Sequence, residues 1–301
     1  MSRGMLVFPA VVVLGFVLGA CEERLTEPGT QPAAPESPQA LSTTVTGVLV
    51  GAGDIASCKT YYKDEGTAKL LSNFSGTIFT LGDNAYPDGS TTNYTCYNSS
   101  WGAFKSRTRP VPGNHDYHVS STAAPYFNYF GSRAGPAGKG WYSYNVGGWH
   151  IVALNSERSL STQASWLKSD LAAHPAKCTL AYWHKPLFTS GDHHGPATEM
   201  RPIFQILYNA KADVVLSGHN HEYERFAPQD PYGKATSSGI RQFVVGTGGA
   251  ELYGFVTPKP NSQVRHSGYG VLALTLYSDH YAYRFISVGS SWTDSGTGVC
   301  H

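Results

Sequence analysis

The chain has 301 residues, a formal net charge of +1, 14% charged residues and 41% hydrophobic ones. That apolar share excludes a disordered chain, and the near-zero charge excludes a nucleic-acid binder that relies on a basic face. The length builds one large domain or two modest ones, with ample material for a core. With so few charges, the polar surface comes from Ser, Thr, Asn, Gly and Tyr, as suits an exported protein.

Arg3 precedes an apolar run from Leu6 to Ala20, interrupted by Pro9. The run is shorter than the roughly 20 residues that span a bilayer. A basic start, an apolar stretch and a small-residue exit read as an export signal over 1–20. Residues 22–45, with Pro28, Pro32, Pro35 and Pro38 among polar residues, cannot build a core and read as a semi-extended tether. From residue 46 to 301 no linker-like break or repeat is visible, which predicts one domain.

Along that domain, 45–53 reads as an apolar strand ending in Asp54, and 64–73 has helical spacing. The run 76–81 reads as a second buried strand, ending in Gly82-Asp83, and 99–106 as helical. Residues 109–112 lead into Gly113-Asn114-His115-Asp116. Strands are predicted at 141–146 and 149–154, a helix at 163–174, and a strand at 178–183 that ends at His184. A helix at 199–209 and a strand at 213–216 lead to His219. Strands at 242–245, 270–277 and 281–288 close the chain. Strands alternating with helices give an α/β layered fold, and the antiparallel tail makes the sheet mixed.

Apart from Cys21, the cysteines are Cys58, Cys96, Cys178 and Cys300. An even number in an exported chain suggests two disulfides with three possible connectivities. We favour Cys58–Cys96 and Cys178–Cys300, because Cys58 and Cys96 each follow a motif assigned below to one site.

Asp54, Asp83, Asn114, His184 and His219 all fall where an apolar strand gives way to a loop. In open α/β sheets that edge is where ligands bind. Each block alone reads equally as a turn or a structural polar residue. His219 and His221 are two apart, and in an extended segment both point to one side. Carboxylates, imidazoles, an amide and a phenol together suit ions such as Fe, Mn and Zn. They are too many for one catalytic ion with an open position. A pair of ions sharing a carboxylate suits in-line displacement at phosphorus.

The ordered blocks Gly53-Asp54, Gly82-Asp83…Tyr86, Gly113-Asn114-His115-Asp116, His184 and Gly218-His219-Asn220-His221 resemble the calcineurin-like metallophosphoesterases. Within them they resemble the purple acid phosphatases, a likeness reinforced by His221-Glu222-Tyr223-Glu224-Arg225. The resemblance implies a layered sandwich of two mixed β-sheets flanked by helices. It implies Asp54, Tyr86 and His221 on a ferric ion, and Asn114, His184 and His219 on a divalent Fe, Zn or Mn, with Asp83 bridging. It further implies hydrolysis of phosphate monoesters by metal-bound hydroxide, with His115 near the leaving oxygen and Asp116 orienting it. His193 serves as a further catalytic candidate, and Asn114 and His194 as substrate-binding candidates. Ala56 stands where the common pattern of the wider family has His, and Tyr86 supplies the ligand that the purple branch uses instead. Asp116 stands where many purple enzymes have Glu.

Leu18-Gly19-Ala20-Cys21 resembles a bacterial lipobox, which implies lipidation of Cys21 and a cell-envelope location, reached otherwise by simple secretion. Membrane association would then run only through the lipid anchor. The rival readings are a phosphodiesterase of nucleotides or phospholipid head groups, and a surface binding protein with a structural metal site. The loops 87–100, 117–140 and 187–198 are where substrate choice would lie. The run Gly246–Ala250 lacks the helix of a phosphate loop and reads as a tight turn near the site.

Overall fold

Apolar, β-branched runs build the first sheet of the computed structural model, which describes residues 40–301 together with Pro9, Ala10, Val12 and Gly15. Most of the export signal, Cys21 and most of the tether lie outside the described residues. Strand β1 (Gly47–Ala52) is buried over its last four residues, as a strand covered on both faces must be. After β2 (Ala56–Ser57) come helix α1 (Asp64–Leu71), β3 (Thr77–Leu81), β4 (Ala85–Tyr86), α2 (Thr91–Ser99) and β5 (Thr108–Val111). Helix α3 (Ala124–Phe130), the hairpin strands β6 (Tyr142–Val146) and β7 (Trp149–Ala153), helix α4 (Leu160–Ala173) and β8 (Thr179–Tyr182) follow. The chain continues through α5 (Arg201–Asn209), β9 (Val214–Ser217), β10 (Tyr223–Phe226), β11 (Arg241–Val245) and β12 (Ser262–His266). It closes with β13 (Gly270–Leu276), β14 (His280–Ser287) and β15 (Thr293–Val299).

The first sheet has the order β15-β14-β13-β1-β3-β5, and the second β12-β10-β11-β9-β8-β7-β6. In the first, β1, β3 and β5 run parallel and the three C-terminal strands are antiparallel. In the second, β7, β8, β9 and β11 run parallel, with antiparallel strands at both edges. The two short strands β2 and β4 pair parallel on their own. This is the mixed two-sheet α/β architecture expected above.

Side-chain alternation in the second sheet decides where the core lies. Ile151, Leu180, Val214 and Leu216 cluster with Leu49 and Phe79 of the first sheet. Their neighbours Val152, Ala181 and Val215 face the other way, onto Leu167 of α4 and Phe204 and Leu207 of α5. A period of two thus puts one set between the sheets and the other under the helices. Both disulfides form as favoured, Cys58–Cys96 tying the segment after β2 to α2 and Cys178–Cys300 tying the start of β8 to the end of β15.

Three differences from the sequence reading have physical causes. The helix expected at 99–106 is a 3-10 turn at Trp101–Arg107, and the α-helix precedes it at α2. Helix α2 carries no apolar stripe. It starts instead at a capping box in which Ser90 and Asn93 satisfy each other's backbone N–H groups. Helix α3 falls inside the expected loop 117–140. Strand β15, made of Thr, Asp, Ser and Gly with one Val, lacks an apolar face and forms because β14 offers it a ladder.

At the start of β9, Asp213 is buried and accepts from Thr179 N at 2.8 Å and His301 N at 3.0 Å. Burial outweighs both bonds and pushes its carboxyl up to about 7. The folded state therefore binds a proton that the unfolded chain, with an Asp near about 3.9, releases earlier. The stability from this group is complete below about pH 4 and is lost as pH rises through about 7. Acidification from about pH 8 to about pH 5 should stabilise the wild type over Asp213→Asn by on the order of 2 kcal/mol. Urea unfolding at both pH values measures it, and a pH-independent difference would contradict it.

Candidate metal centre

The candidate ligands stand at the carboxyl ends of the parallel strands of both sheets. Asp54 follows β1, Asp83 follows β3 and Asn114 follows β5, while His184 follows β8 and His219 follows β9. Both sheets aim the same ends at one place, so side chains far apart in sequence converge. Asp54, Asp83 and His219 take φ of 60°, 47° and 70°. Such left-handed backbone is sparsely populated but tolerated by Asp and His, and it concentrates at functional sites. Gly82 and Gly113 make room: a Cβ on Gly82 would lie 2.6 Å from His184 Nδ1, and one on Gly113 2.3 Å from Asp83 Oδ1.

Two groups of donors share Asp83 Oδ2. In one, Tyr86 Oη lies 2.9 Å from Asp54 Oδ1, 3.1 Å from Asp83 Oδ2 and 3.0 Å from His221 Nε2. In the other, His184 Nε2 lies 3.1 Å from Asn114 Oδ1, 3.1 Å from His219 Nδ1 and 3.3 Å from Asp83 Oδ2. The tautomers of two imidazoles are set by backbone carbonyls. His184 Nδ1 donates to Leu81 O at 2.7 Å and His221 Nδ1 donates to Glu251 O at 2.5 Å. Their Nε2 atoms then face carboxylate, amide and phenol oxygens. Carboxylates, imidazoles, an amide oxygen and a phenol gathered this closely make a donor set that suits Fe, Zn or Mn. The residues present therefore fit a pair of metal ions.

The electrostatics agree. Burial alone would raise Asp83, but the His184, His115 and His219 imidazoles hold its carboxyl well below the usual range. Burial alone would lower His184, and Asp83 beside it raises it instead. Burial and then the neighbouring His184 and His194 press His219 down to about 2. Burial, followed by the charges of Asp54 and Asp83, raises the Tyr86 phenol well above its ordinary value.

His115 reaches the edge of this cluster. Its Nδ1 donates to Pro87 O at 2.5 Å, and its Nε2 lies 3.9 Å from Asp83 Oδ2. Asp116 does not orient it. That carboxylate accepts from Gly113 N at 2.9 Å, Asn84 Nδ2 at 3.0 Å and Tyr94 Oη at 2.6 Å, so it shapes the turn that presents Asn114. Burial, then the charge of Asp83, raises the Asp116 carboxyl to about 6. His194 stacks on His219 with ring centroids 4.0 Å apart, and His193 stacks on Tyr253 at 4.1 Å. Glu224 and Arg225 turn away from the cluster, Glu224 accepting from Ser190 N at 2.7 Å and Arg225 pairing with Asp294 at 2.7 Å. The Gly246–Ala250 turn lies against the site as expected, with Ala250 N donating to Asp54 O at 2.9 Å.

Sequence reasoning missed Tyr253, whose ring lies flat on His221 at 4.0 Å, and Glu251, whose carbonyl sets the His221 tautomer. No local motif marks either one; only the fold brings that loop beside His221. Glu222 is buried, and burial followed by the charge of Glu224 pushes its carboxyl up to about 9. Away from the centre, His150 and Asp170 pair at 2.8 Å and tie β7 to α4. A cavity of about 480 Å³ between α4 and α5 is lined by none of the candidate ligands.

A family profile described as calcineurin-like phosphoesterase matches residues 53–223. Purple acid phosphatase 22 of Arabidopsis thaliana is 35% identical over 142 residues, covering 43% of this chain and 32% of its own. Purple acid phosphatase 15 of the same plant is 29% identical over 218 residues, 60% of this chain and 41% of its own. The chain thus spans about a third to two fifths of the length of these relatives. The structure of purple acid phosphatase PPD1 from yellow lupin seeds shares the fold, with a TM-score of 0.69 at 18% identity over 86% of this chain and 54% of that one. GAP50, titled the anchor in the inner membrane complex of Plasmodium, shares it with a TM-score of 0.68 at 14% identity over 86% and 90%. The profile match covers more than half of the sequence and contains every candidate ligand, so the chain belongs to the calcineurin-like phosphoesterase family, with purple acid phosphatases among its relatives.

Proposed function

We propose that this protein is a two-metal phosphoesterase of the purple acid phosphatase type that hydrolyses phosphate monoesters outside the cytoplasm. The observation that carries the reading is the convergence of two acceptor-rich donor groups on Asp83 Oδ2. Asp54, Tyr86 and His221 would hold the ferric ion, Asn114, His184 and His219 the divalent one, and Asp83 both. Bound there, the ions would polarise the phosphoryl oxygens and lower the pKa of water to near neutrality.

The protein's own residues do the rest. The Leu81 and Glu251 carbonyls keep His184 and His221 in the tautomer that presents Nε2 inward, as outer partners of metal-bound imidazoles do. The His115 backbone N–H donates to Asp83 Oδ1 at 2.7 Å, so the carboxylate keeps its other oxygen for the centre. With Nδ1 spent on Pro87 O, His115 has Nε2 as the atom that takes up and releases a proton. It is positioned to protonate the leaving oxygen. His193 and His194, beside Tyr253 and His219, are the substrate-facing imidazoles.

Two disulfides suit an oxidising compartment, and no described helix is long and apolar enough to cross a membrane. In this reading residues 1–20 direct export, lipidated Cys21 and the 22–45 tether hold the 46–301 catalytic domain at the cell envelope, and the substrate is a small phosphate ester. Metal analysis and phosphate release from mono- and diester substrates test it together. Two metal equivalents with faster monoester cleavage support the reading. Faster diester cleavage favours the phosphodiesterase, and bound metal without turnover favours the binding protein.

A further inference from the structure

The rim segment 189–195 carries His193 and His194, and one buried side chain holds it down. Asn220, between the ligand candidates His219 and His221, has 0% exposure. Its Oδ1 accepts from His194 N at 3.1 Å, and its Nδ2 donates to His194 O at 2.9 Å. The same Nδ2 donates to Thr189 Oγ1 at 2.9 Å. Thr189 Oγ1 also accepts from Gly191 N at 3.0 Å and donates to Glu222 Oε1 at 3.1 Å. A carboxamide offers one acceptor and two donors, and here all are committed to the two ends of a single loop. The loop closes this tightly because residue 191 has no side chain: a Cβ there would lie 2.5 Å from Asn220 Cγ and Oδ1.

A tight turn, not strand alternation, gives position 220 this task. His219 takes a left-handed φ of 70°, Asn220 N donates to Gly218 O at 2.9 Å and Glu222 N donates to Asn220 O at 2.8 Å. This corrects the extended segment expected from the spacing of His219 and His221: the turn sends both imidazoles to the centre and Asn220 to the loop. Above the clamp, the His194 ring stacks on His219 at 4.0 Å with 18° between the planes. The polar, glycine-containing loop buries little apolar surface of its own, so a free His194 would have rotamers and backbone states to lose before it met a substrate.

We infer that Asn220 is a positioning residue: by gripping the peptide of His194 it holds that imidazole over His219, where it meets an oxygen of the phosphate ester. The substrate half of this inference rests on the function proposed above; the clamp itself does not. Removing the grip should cost what an outer partner of a metal site costs, about tenfold.

The test compares Asn220→Ala, Gly191→Ala, His194→Ala and the Asn220→Ala/His194→Ala double variant of the full chain, each with its metal content measured. With 4-nitrophenyl phosphate, Asn220→Ala should lower kcat/KM about tenfold, chiefly through KM, and weaken inhibition by inorganic phosphate by a similar factor. The double variant should be no worse than His194→Ala alone, because both changes remove one function. A second readout needs no turnover. In metal-stripped protein, carbethoxylation of His194 by diethyl pyrocarbonate, mapped by mass spectrometry, should be several times faster in Asn220→Ala than in wild type. Multiplying effects in the double variant, or an unchanged His194 modification rate, would overturn the inference. Should Asn220→Ala lose its metals, Gly191→Ala carries the same expectations, since its Cβ presses on the amide from the loop side. A wild type that cleaves no phosphate ester would sink the functional reading, while the modification rates would still decide the clamp.

Discussion

Asp83→Ala should lose both bound metals and with them phosphoester turnover. Asp83 is 1% exposed, and its Oδ2 is the one oxygen that meets both donor groups, lying 3.1 Å from Tyr86 Oη and 3.3 Å from His184 Nε2. Its removal leaves His184, which burial disfavours as a cation, without the carboxylate that raises its pKa. The expected fall in kcat/KM exceeds about a hundredfold, because loss of a mere outer partner already costs about 10–100-fold. Asp83→Asn separates charge from shape: it keeps an oxygen for the His115 N–H but cannot neutralise two cations. Elemental analysis beside a phosphate-release assay measures both effects. Wild-type metal content in Asp83→Ala would remove the shared carboxylate from the proposal, and wild-type turnover would remove the centre itself.

Tyr86→Phe should bleach the oxidised, iron-loaded protein. Without a cation the Tyr86 phenol stays protonated, since burial and the charges of Asp54 and Asp83 raise it well above its ordinary value. Only a strong positive charge in direct contact can draw off that proton, and a phenolate on ferric iron would absorb visible light. The colour therefore reports the contact directly. Phe fills the same space beside His115, whose ring centroid lies 4.5 Å from that of Tyr86, so the fold should survive. A visible spectrum before and after substitution, at matched iron content, decides it. A colourless iron-loaded wild type, or a variant of unchanged colour, would exclude Tyr86 as a ligand.

Much of the centre was legible because its residues sit at predictable breaks. Asp54, Asp83, Asn114, His184 and His219 each end an apolar strand, and the strands themselves are marked by apolar runs. The turn at Gly246–Ala250 was legible for the same reason. Residues that act through backbone atoms were not legible. Glu251 matters through its carbonyl and Pro87 through its own, and any residue has one. Asn220 lay inside a readable motif and Tyr253 outside any, but the partners of both belong to other loops. The resemblance gave Asp116 the task of orienting His115. The turn instead sends that carboxylate to Asn84, Gly113 and Tyr94.

Taken alone, the sequence determined the strand–helix alternation, the supply of four cysteines for two disulfides and the residue types offered to the centre, because hydrophobic period and residue type are local properties. Tertiary structure decided what depends on direction. It set which imidazole nitrogen faces inward, which carboxylate oxygen is shared, and that the rim histidines lie over His219 and Tyr253. Hydrogen bonds and ligand contacts require atoms a few ångströms apart at defined angles. Only the packing of two sheets brings residues 54, 86, 114, 184 and 221 to that distance.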